Sequence, residues 1–353
     1  MWQPYDVTLP IPQDGRYSYT RLAAINNCVA RGALPPSLSK TFSTTNAHAL
    51  LGIALHRYLE LSHKALTESE RERLWDEVCA QVSSTAQLSS ILPPPPPRLW
   101  PGYEAKRISV LSGSLQPLRS SPVRGPQAHH WKHEVFMENV AEALFGIADL
   151  VRLTEQSIDA IYDLKSGDVQ GSLSEAFELQ LGLYGYIAES SLDAEIRELG
   201  IITSDGERTL VHDVGSVISK AKQWAFRTIA SYRALYSSWS ALFSAATPSP
   251  DACRGCPLRP VCPKFLADKE LFRATGFCSG KVIEVGQAKN GMGWISIEQP
   301  QAMGLAHLSK LGGLPSVGDS IAVLDGHWLS DQSIQAQWNS RLAILSSGNA
   351  AKK

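Results

Sequence analysis

Gly146-Ile-Ala-Asp-Leu-Val-Arg-Leu153 and Ile158-Asp-Ala-Ile-Tyr-Asp-Leu-Lys165 flank the polar turn Thr154-Glu-Gln-Ser157. Two apolar-rich runs around a short polar turn predict a β-hairpin. Strand side chains alternate with a period of two, so Asp163 and Lys165 share one face and Leu164 takes the other. With a three-residue loop, Glu155 to Ser157, Asp149 stands opposite Asp163, their Cβ atoms roughly 5 Å apart. A four-residue loop shifts the pairing by one and misplaces Asp149. Two facing carboxylates beside an ammonium group repel and desolvate one another. A hard cation such as Mg²⁺ relieves that, because it takes oxygen ligands and keeps several waters. Lys165 can then orient or deprotonate one of those waters. The stretch therefore predicts a site for metal-assisted attack on a phosphate.

The whole chain has 353 residues, which suggests two domains with ample core in the larger. Apolar residues make up 44% and charged residues 19%, as in a soluble globular protein. The net charge is −1, so a nucleic-acid binder of this composition must gather its basic residues locally. Met1-Trp2-Gln3-Pro4-Tyr5-Asp6 lacks a basic, then apolar, leader, and no apolar run is long enough to span a membrane. The expectation is a cytoplasmic protein with no membrane partner.

In chain order, residues 1 to 15 read as an extended arm and Ser18 to Ala33 as a helix that carries Cys28. A second helix over 47–66 places His56 and Glu60 on one face, with Gly52 one turn earlier. A charged helix follows over Glu68 to Val82. Pro93 to Pro97 is a stiff polyproline run, inside an irregular insertion with a strand near Arg107 to Leu111. Glu134 to Glu138 leads into the hairpin. The helix Ser174 to Glu189 sets Gln180 and Tyr184 four apart on one face. Strands are predicted around Ile196 to Thr203 and Thr209 to His212, then a long helix from Val217 to Ala245.

Six cysteines occur, and three form Cys253-x₂-Cys256-x₅-Cys262. Three close thiolates with interspersed Gly and Pro point to a metal or cluster. Zn²⁺ and iron–sulfur clusters usually take four ligands, so the fourth must be Cys28, Cys79, Cys278 or a histidine. From residue 276 to 346 the chain alternates and turns often, which predicts a small β-barrel of about five strands, oligonucleotide-binding-like in shape. Trp294, Trp328 and Trp338 can serve there as base-stacking platforms, with core packing the expectation for at least one.

Taken in order, these signals resemble the RecB-like branch of the PD-(D/E)XK nucleases, in particular the members with an iron–sulfur cluster. Those include the CRISPR-associated RecB-like exonucleases and the nuclease domain of AddB. The resemblance covers about Ser18 to Phe265. Gly52 and His56 match Gly-x-x-x-His. Gly146 and Asp149 match Gly-x-x-Asp. Asp163, Lys165, Ser166 and Gly167 match Asp-x-Lys-(Ser/Thr)-Gly, and Gln180 and Tyr184 match Gln-x-x-x-Tyr. Cys28 and the trio Cys253, Cys256 and Cys262 match the cluster ligands, one before the nuclease motifs and three after them.

The resemblance implies an α/β, restriction-endonuclease-like core over 1–267, with a mixed central sheet flanked by helices; the long helical, Pro-rich insertion over 67–131 and the C-terminal barrel depart from the family. The small barrel would occupy 268–346 and a tail 347–353. It implies Mg²⁺ or Mn²⁺ on His56, Asp149 and Asp163, catalysis by Asp149, Asp163 and Lys165 with Gln180 and Tyr184 in support, and a [4Fe–4S] cluster on the four cysteines, with Zn²⁺ as the alternative. Glu134 lies where many relatives carry an acid before the hairpin. The substrate would be DNA, single strands or ends, in repair or recombination, CRISPR adaptation or antiphage defence. A DNA-end-binding subunit with little activity alone is the competing expectation. No Gly-x-x-x-x-Gly-Lys-(Ser/Thr) motif occurs, so any helicase must act in trans.

Overall fold

The hairpin turn has four residues, and the register is nevertheless the one a three-residue loop would give. In the computed structural model, Thr154 N donates to Ser157 O at 2.9 Å, and Leu153 pairs with Ile158. The next pair is Arg152 with Ala160, so Asp159 is an extra, bulged residue that returns the ladder to step. Continued past Leu150 and Tyr162, the ladder sets Asp149 opposite Asp163. Arg152 holds the bulge, donating to Asp159 from Nε at 2.9 Å and from Nη2 at 3.0 Å.

The structure describes residues 3–4, 9, 12, 14–34, 46–62, 67–89, 94–113, 130–154, 157–165, 173–192, 194–203, 207–287, 289, 293–298, 301–305 and 315–346. After a short strand β1 (Gln3–Pro4) come the helices α1 (Tyr19–Asn27), α2 (Val29–Gly32), α3 (Ala47–Leu61), α4 (Glu68–Ser89) and α5 (Tyr103–Ser112). The central sheet runs β2 (His130–Asn139), β3 (Leu144–Leu153), β4 (Ile158–Lys165), β5 (Glu198–Thr203) and β6 (Arg208–Leu210), in that spatial order. β4 and β5 are parallel, joined through α6 (Glu175–Ser191), and the other pairs are antiparallel, so the sheet is mixed. α7 (Val214–Arg233) lies beside α6.

Each face of the sheet has its own core. Leu22 of α1, Leu181 of α6 and Ala221 of α7 cover one face, with Ala148, Val151 and Ile161. Leu51 of α3, Trp75 of α4 and Val110 of α5 cover the other, with Leu150, Tyr162 and Leu164. β4 is buried on both faces, which explains its nearly unbroken apolar run. In β3 the alternation fails at one point. Ala148 belongs to the first core and Leu150 to the second, although a regular strand would put both on one face. Asp149 is the residue where the strand turns over. Glu134, between the pairs His133–Leu150 and Val135–Ala148 on the neighbouring strand, has a left-handed φ of 49°. Such backbone costs about 1–3 kcal/mol in a non-glycine residue and is held only by its surroundings.

Several elements differ from expectation for local reasons. The predicted helix over 18–33 breaks at Cys28, which is extended at φ −160° and ψ 112° between α1 and α2. The strand expected near Arg107 to Leu111 is helix α5, bracketed by Gly102 and Gly113, both at positive φ, with Tyr103, Lys106 and Val110 buried at helical spacing. α4 runs on to Ser89. The helix expected over 217–245 ends at Arg233, and Ser238 caps a separate α8 (Trp239–Ala245).

The C-terminal part is not a closed five-stranded barrel. Its strands are β7 (Cys278–Gln287), β8 (Gly293–Ile297), β9 (Gln301–Leu305), β10 (Ser320–Leu324), β11 (His327–Ser330), β12 (Ser333–Gln335) and β13 (Arg341–Ser346). With β1 they form the open order β1-β13-β10-β7-β8-β9-β12-β11. Alternation in a sequence reveals strands but not partners. Here β9 takes β12 in parallel, and β1 from the N-terminal arm pairs in parallel with β13. Among the described residues the ladder does not close.

The segment after α8 joins the two parts. It comprises α9 (Pro250–Cys253), α10 (Pro263–Leu266) and α11 (Lys269–Ala274). Phe265, Phe272 and Phe277 pack ring against ring, and Phe265 and Phe277 share a core with Cys253, Cys262, Ala322 and Leu324. Arg259 is 1% exposed. It donates to Cys256 O at 2.9 Å, to Thr275 O at 2.8 Å and to Asp325 Oδ1 at 2.8 Å. Removing one partner of a buried ion pair leaves the other charge uncompensated. Arg259→Ala is therefore expected to lower the unfolding free energy by about 3 kcal/mol or more, and a loss below about 1 kcal/mol in a urea titration would contradict this role.

Candidate active site

The point where β3 turns over collects charge from three strands and two helices. Asn46 caps α3 by accepting from Ala49 N at 2.8 Å, and nearly three turns further on α3 carries His56 to the sheet. His56 Nδ1 lies 3.5 Å from Glu134 Oε1 and 3.7 Å from Asp149 Oδ1. The ligand atoms of His56, Glu134 and Asp149 all lie within 4.8 Å of one another. Glu60 shares the helix with His56, four residues on, and pairs with Arg57 at 2.5 Å. Asp149 Oδ2 accepts from Leu164 N at 2.7 Å, so the backbone of β4 orients this carboxylate.

Asp163 does not join the trio within that distance. Its Oδ1 accepts from Gln180 Nε2 at 2.8 Å, and Gln180 Nε2 also reaches Tyr184 OH at 3.2 Å. Lys165 Nζ lies 2.5 Å from Asp163 Oδ2, an ion pair on one strand face as the period of two requires. The approach is off the hydrogen-bond direction, and Oδ2 is buried without a directed donor. Lys165 also sits 4.7 Å above the Phe177 ring. Gly146 has a steric reason. A Cβ there would stand 2.6 Å from Tyr184 Cε1, so only glycine lets the Tyr184 ring lie against β3. Ser166 and Gly167 lie outside the described residues.

These groups perturb one another. Burial and the nearby Asp163 charge raise the Asp149 pKa to about 7, against the lowering effects of His56 and the Leu164 amide. Burial lowers the His56 pKa, but the bond to Glu134 and the charges of Asp149, Glu134 and Asp163 outweigh it, so the net shift is upward. Burial pushes Tyr184 up to about 12, so its hydroxyl keeps its proton at neutral pH.

Four cysteines lie near one another at the joint, close enough to influence each other electrostatically, but no three of their sulfurs come within 4.8 Å of one another. Cys28, Cys253, Cys256 and Cys262 are all buried and none is in a disulfide. Burial raises the pKa of Cys253, Cys262 and Cys256, the last to about 12, and the charge of Cys28 adds to the shift in each. Two bonds hold Cys28 there: Arg31 Nη1 donates to Ala252 O at 2.8 Å, and Thr247 Oγ1 donates to Asn27 O at 2.9 Å. Cys79 is buried in the core under α3 and α4, and Cys278 in the core of the C-terminal sheet. The tryptophans scatter. Trp338 packs on the α3–α4 core, and Trp294 lies across Gly286 of the neighbouring strand. Trp328 donates to Phe272 O at 3.3 Å.

One imidazole and several carboxylates form a hard donor set suited to a divalent ion, and the lysine beside them supplies a fixed positive charge. On a mixed sheet between helical layers, it is a candidate site for hydrolysis assisted by a divalent ion. The chain belongs to the PD-(D/E)XK nuclease superfamily, whose family model matches residues 16–263, and it is thus a hydrolase acting on phosphodiester bonds. No curated protein matches the sequence. The residue that sequence reasoning undervalued is Glu134. Its acid type before the hairpin was a signal, but the left-handed backbone it adopts in the middle of β2, beside His56, was not legible.

The sign of the Asp149 shift fixes a pH dependence. Its folded pKa lies above the ordinary carboxylate value, so the metal-free fold is favoured by the proton and loses that contribution as pH rises toward 7. A divalent ion must displace the same proton. Mn²⁺ binding, read from the rise in Tm, should therefore strengthen up to about tenfold per pH unit below about 7 and level off above it. Asp149→Asn should abolish both the rise and its pH dependence. Equal Mn²⁺ effects at pH 6 and pH 8 in the wild type would refute the assignment.

Proposed function

We propose that this chain is a divalent-metal-dependent deoxyribonuclease of the RecB-like, iron–sulfur branch, acting on single strands or DNA ends. The observation that carries the reading is the convergence of His56, Glu134 and Asp149, with Asp163 and Lys165 alongside. His56, Glu134 and Asp149 would hold Mg²⁺ or Mn²⁺, and the buried, under-satisfied Oδ2 of Asp163 is a further ligand atom of the right type. When bound, such an ion supplies Lewis acidity and lowers the pKa of water. The chain's own groups do the rest. Gln180 keeps Asp163 in place, and Tyr184 offers a hydroxyl donor. Lys165, held by Asp163 and Phe177, puts positive charge where the phosphorane gains negative charge.

Asp163→Ala and Lys165→Ala should each abolish Mg²⁺- or Mn²⁺-dependent cleavage of single-stranded and duplex DNA while circular dichroism stays native. Undiminished cleavage in both variants would contradict the mechanism. A DNA-end-binding subunit remains the second reading, and absence of cleavage by the wild type with binding to ends retained would favour it. The same assay with RNA sets the substrate sugar. The activity suits repair or recombination, CRISPR adaptation or antiphage defence, with unwinding by a helicase in trans.

The four cysteines fit a [4Fe–4S] cluster, with Zn²⁺ the alternative. Burial, with a neighbouring cysteine's charge, disfavours the thiolate form of Cys253, Cys256 and Cys262, and a cationic core bound among them would offset that cost. A link from Cys28 to Cys253 closes a loop of more than two hundred residues. In the disulfide model such a closure is worth on the order of 5 kcal/mol, so the cluster's role is structural. Cys256→Ser should yield a colourless, unstable protein. Iron analysis of anaerobically purified wild type, with visible absorbance, separates iron–sulfur from zinc, and full absorbance in Cys256→Ser would overturn the ligand assignment.

A further inference from the structure

The joint between the nuclease core and the C-terminal sheet encloses a cavity that the catalytic groups do not use. Its volume is about 490 Å³, and Asn46, Arg254, Arg273, His327, Trp328 and Asn339 line it. The walls come from four parts of the chain. Arg254 sits inside the cysteine segment, Arg273 ends α11, His327 and Trp328 open β11, and Asn46 caps α3. The rims are locked together. Gly326 N donates to Gly276 O at 2.7 Å, and a Cβ on Gly276, at φ +61°, would stand 2.1 Å from Gly326 O. Trp328 is fixed by its bond to Phe272 O.

The wall is positive. The acid in the lining, Asp325, is engaged by the buried Arg259 at 2.8 Å. Arg273 pairs with Asp331, but both side chains are largely exposed, and an exposed pair exchanges readily for another anion. Arg254 has no ion-pair partner among the described residues. The N-terminus of α3, at the same wall, adds the positive end of a helix dipole. Guanidinium groups alone would suit any anion. An indole and the Asn339 carboxamide beside them add an aromatic face and a hydrogen-bonding edge, the combination by which a nucleic-acid strand is stacked on and read. α3 leads straight from this wall to the metal site. His56 lies ten residues beyond Asn46, about 15 Å at 1.5 Å per residue, within reach of a short strand.

We infer that this cavity is a subsite for single-stranded nucleic acid, which grips the strand away from the scissile phosphate with Arg254, Arg273 and Trp328. The inference rests on the nuclease reading and deepens it. The test is fluorescence anisotropy of a labelled single-stranded DNA oligonucleotide with the full chain in EDTA, over a range of salt, with circular dichroism to verify folding. Arg254→Glu should weaken binding about tenfold and lower the salt slope by about one. Trp328→Ala should weaken it by about tenfold, and Trp328→Phe should restore most of the loss, because the ring face and not the N–H carries the stacking. Cleavage of the same oligonucleotide by wild type in Mg²⁺ is scored in parallel. Wild-type affinity and salt slope in Arg254→Glu and Trp328→Ala, with cleavage intact, overturn the subsite and spare the nuclease. Weakened binding in those variants with no cleavage by wild type supports the subsite and removes the nuclease reading. Displacement of the strand by millimolar inorganic phosphate overturns the proposal, since that marks a site for a small anion.

Discussion

Asp149 and Asp163 stand on adjacent strands inside a sheet covered on both sides, and their like charges act on each other with little water between. Burial and that repulsion move Asp149 to about 7, into the range where a proton and a divalent ion compete for it. The surrounding structure is arranged around this tension. The Leu164 amide holds one oxygen of Asp149, Gln180 holds one oxygen of Asp163, and Lys165 faces the other. His56 and Glu134 complete a ring of donors that is costly as bare charge and favourable around a cation. Each of these contacts depends on a register that one residue of slip would destroy.

That register is maintained at two places away from the chemistry. The bulge at Asp159, clamped by Arg152, absorbs the fourth residue of the turn. The left-handed Glu134 lets β2 and β3 exchange faces together, so that both acids point into the seam between the cores. The other end of the molecule is organised by a single buried arginine. Arg259 ties the cysteine segment to the end of α11 and to the C-terminal sheet. The cavity beside it shares those walls, with Arg254 next to Cys253 in the lining.

Much of the site was legible in order along the chain. Asp163 and Lys165 had to share a face because strands repeat every two residues, and the observed ion pair follows. Gln180 and Tyr184 had to lie on one helical face, and Gln180 links Asp163 to Tyr184 as that spacing allows. Gly146 was visible as a motif glycine, but its reason, the Tyr184 ring against β3, is a contact between distant residues. Arg107 to Leu111 misled because an apolar–polar alternation too short to fill two helical turns fits a strand equally well. Cys28 broke its helix because the chain there bends to reach residues far along the sequence.

Sequence alone determined the local periods: that Asp163 and Lys165 share a strand face, and Gln180 and Tyr184 a helix face. These follow from short-range geometry, since neighbours in the chain are bound by fixed repeats. Tertiary structure decided everything that depends on who meets whom. It brought Glu134 to His56, chose Cys28 over Cys79 and Cys278 as the neighbour of the three-cysteine segment, and gave β13 a partner from the N-terminal arm instead of closing a barrel. The physical reason is that pairing between remote segments is settled by competition for buried surface and hydrogen-bond partners across the whole fold, and no local repeat encodes the winner.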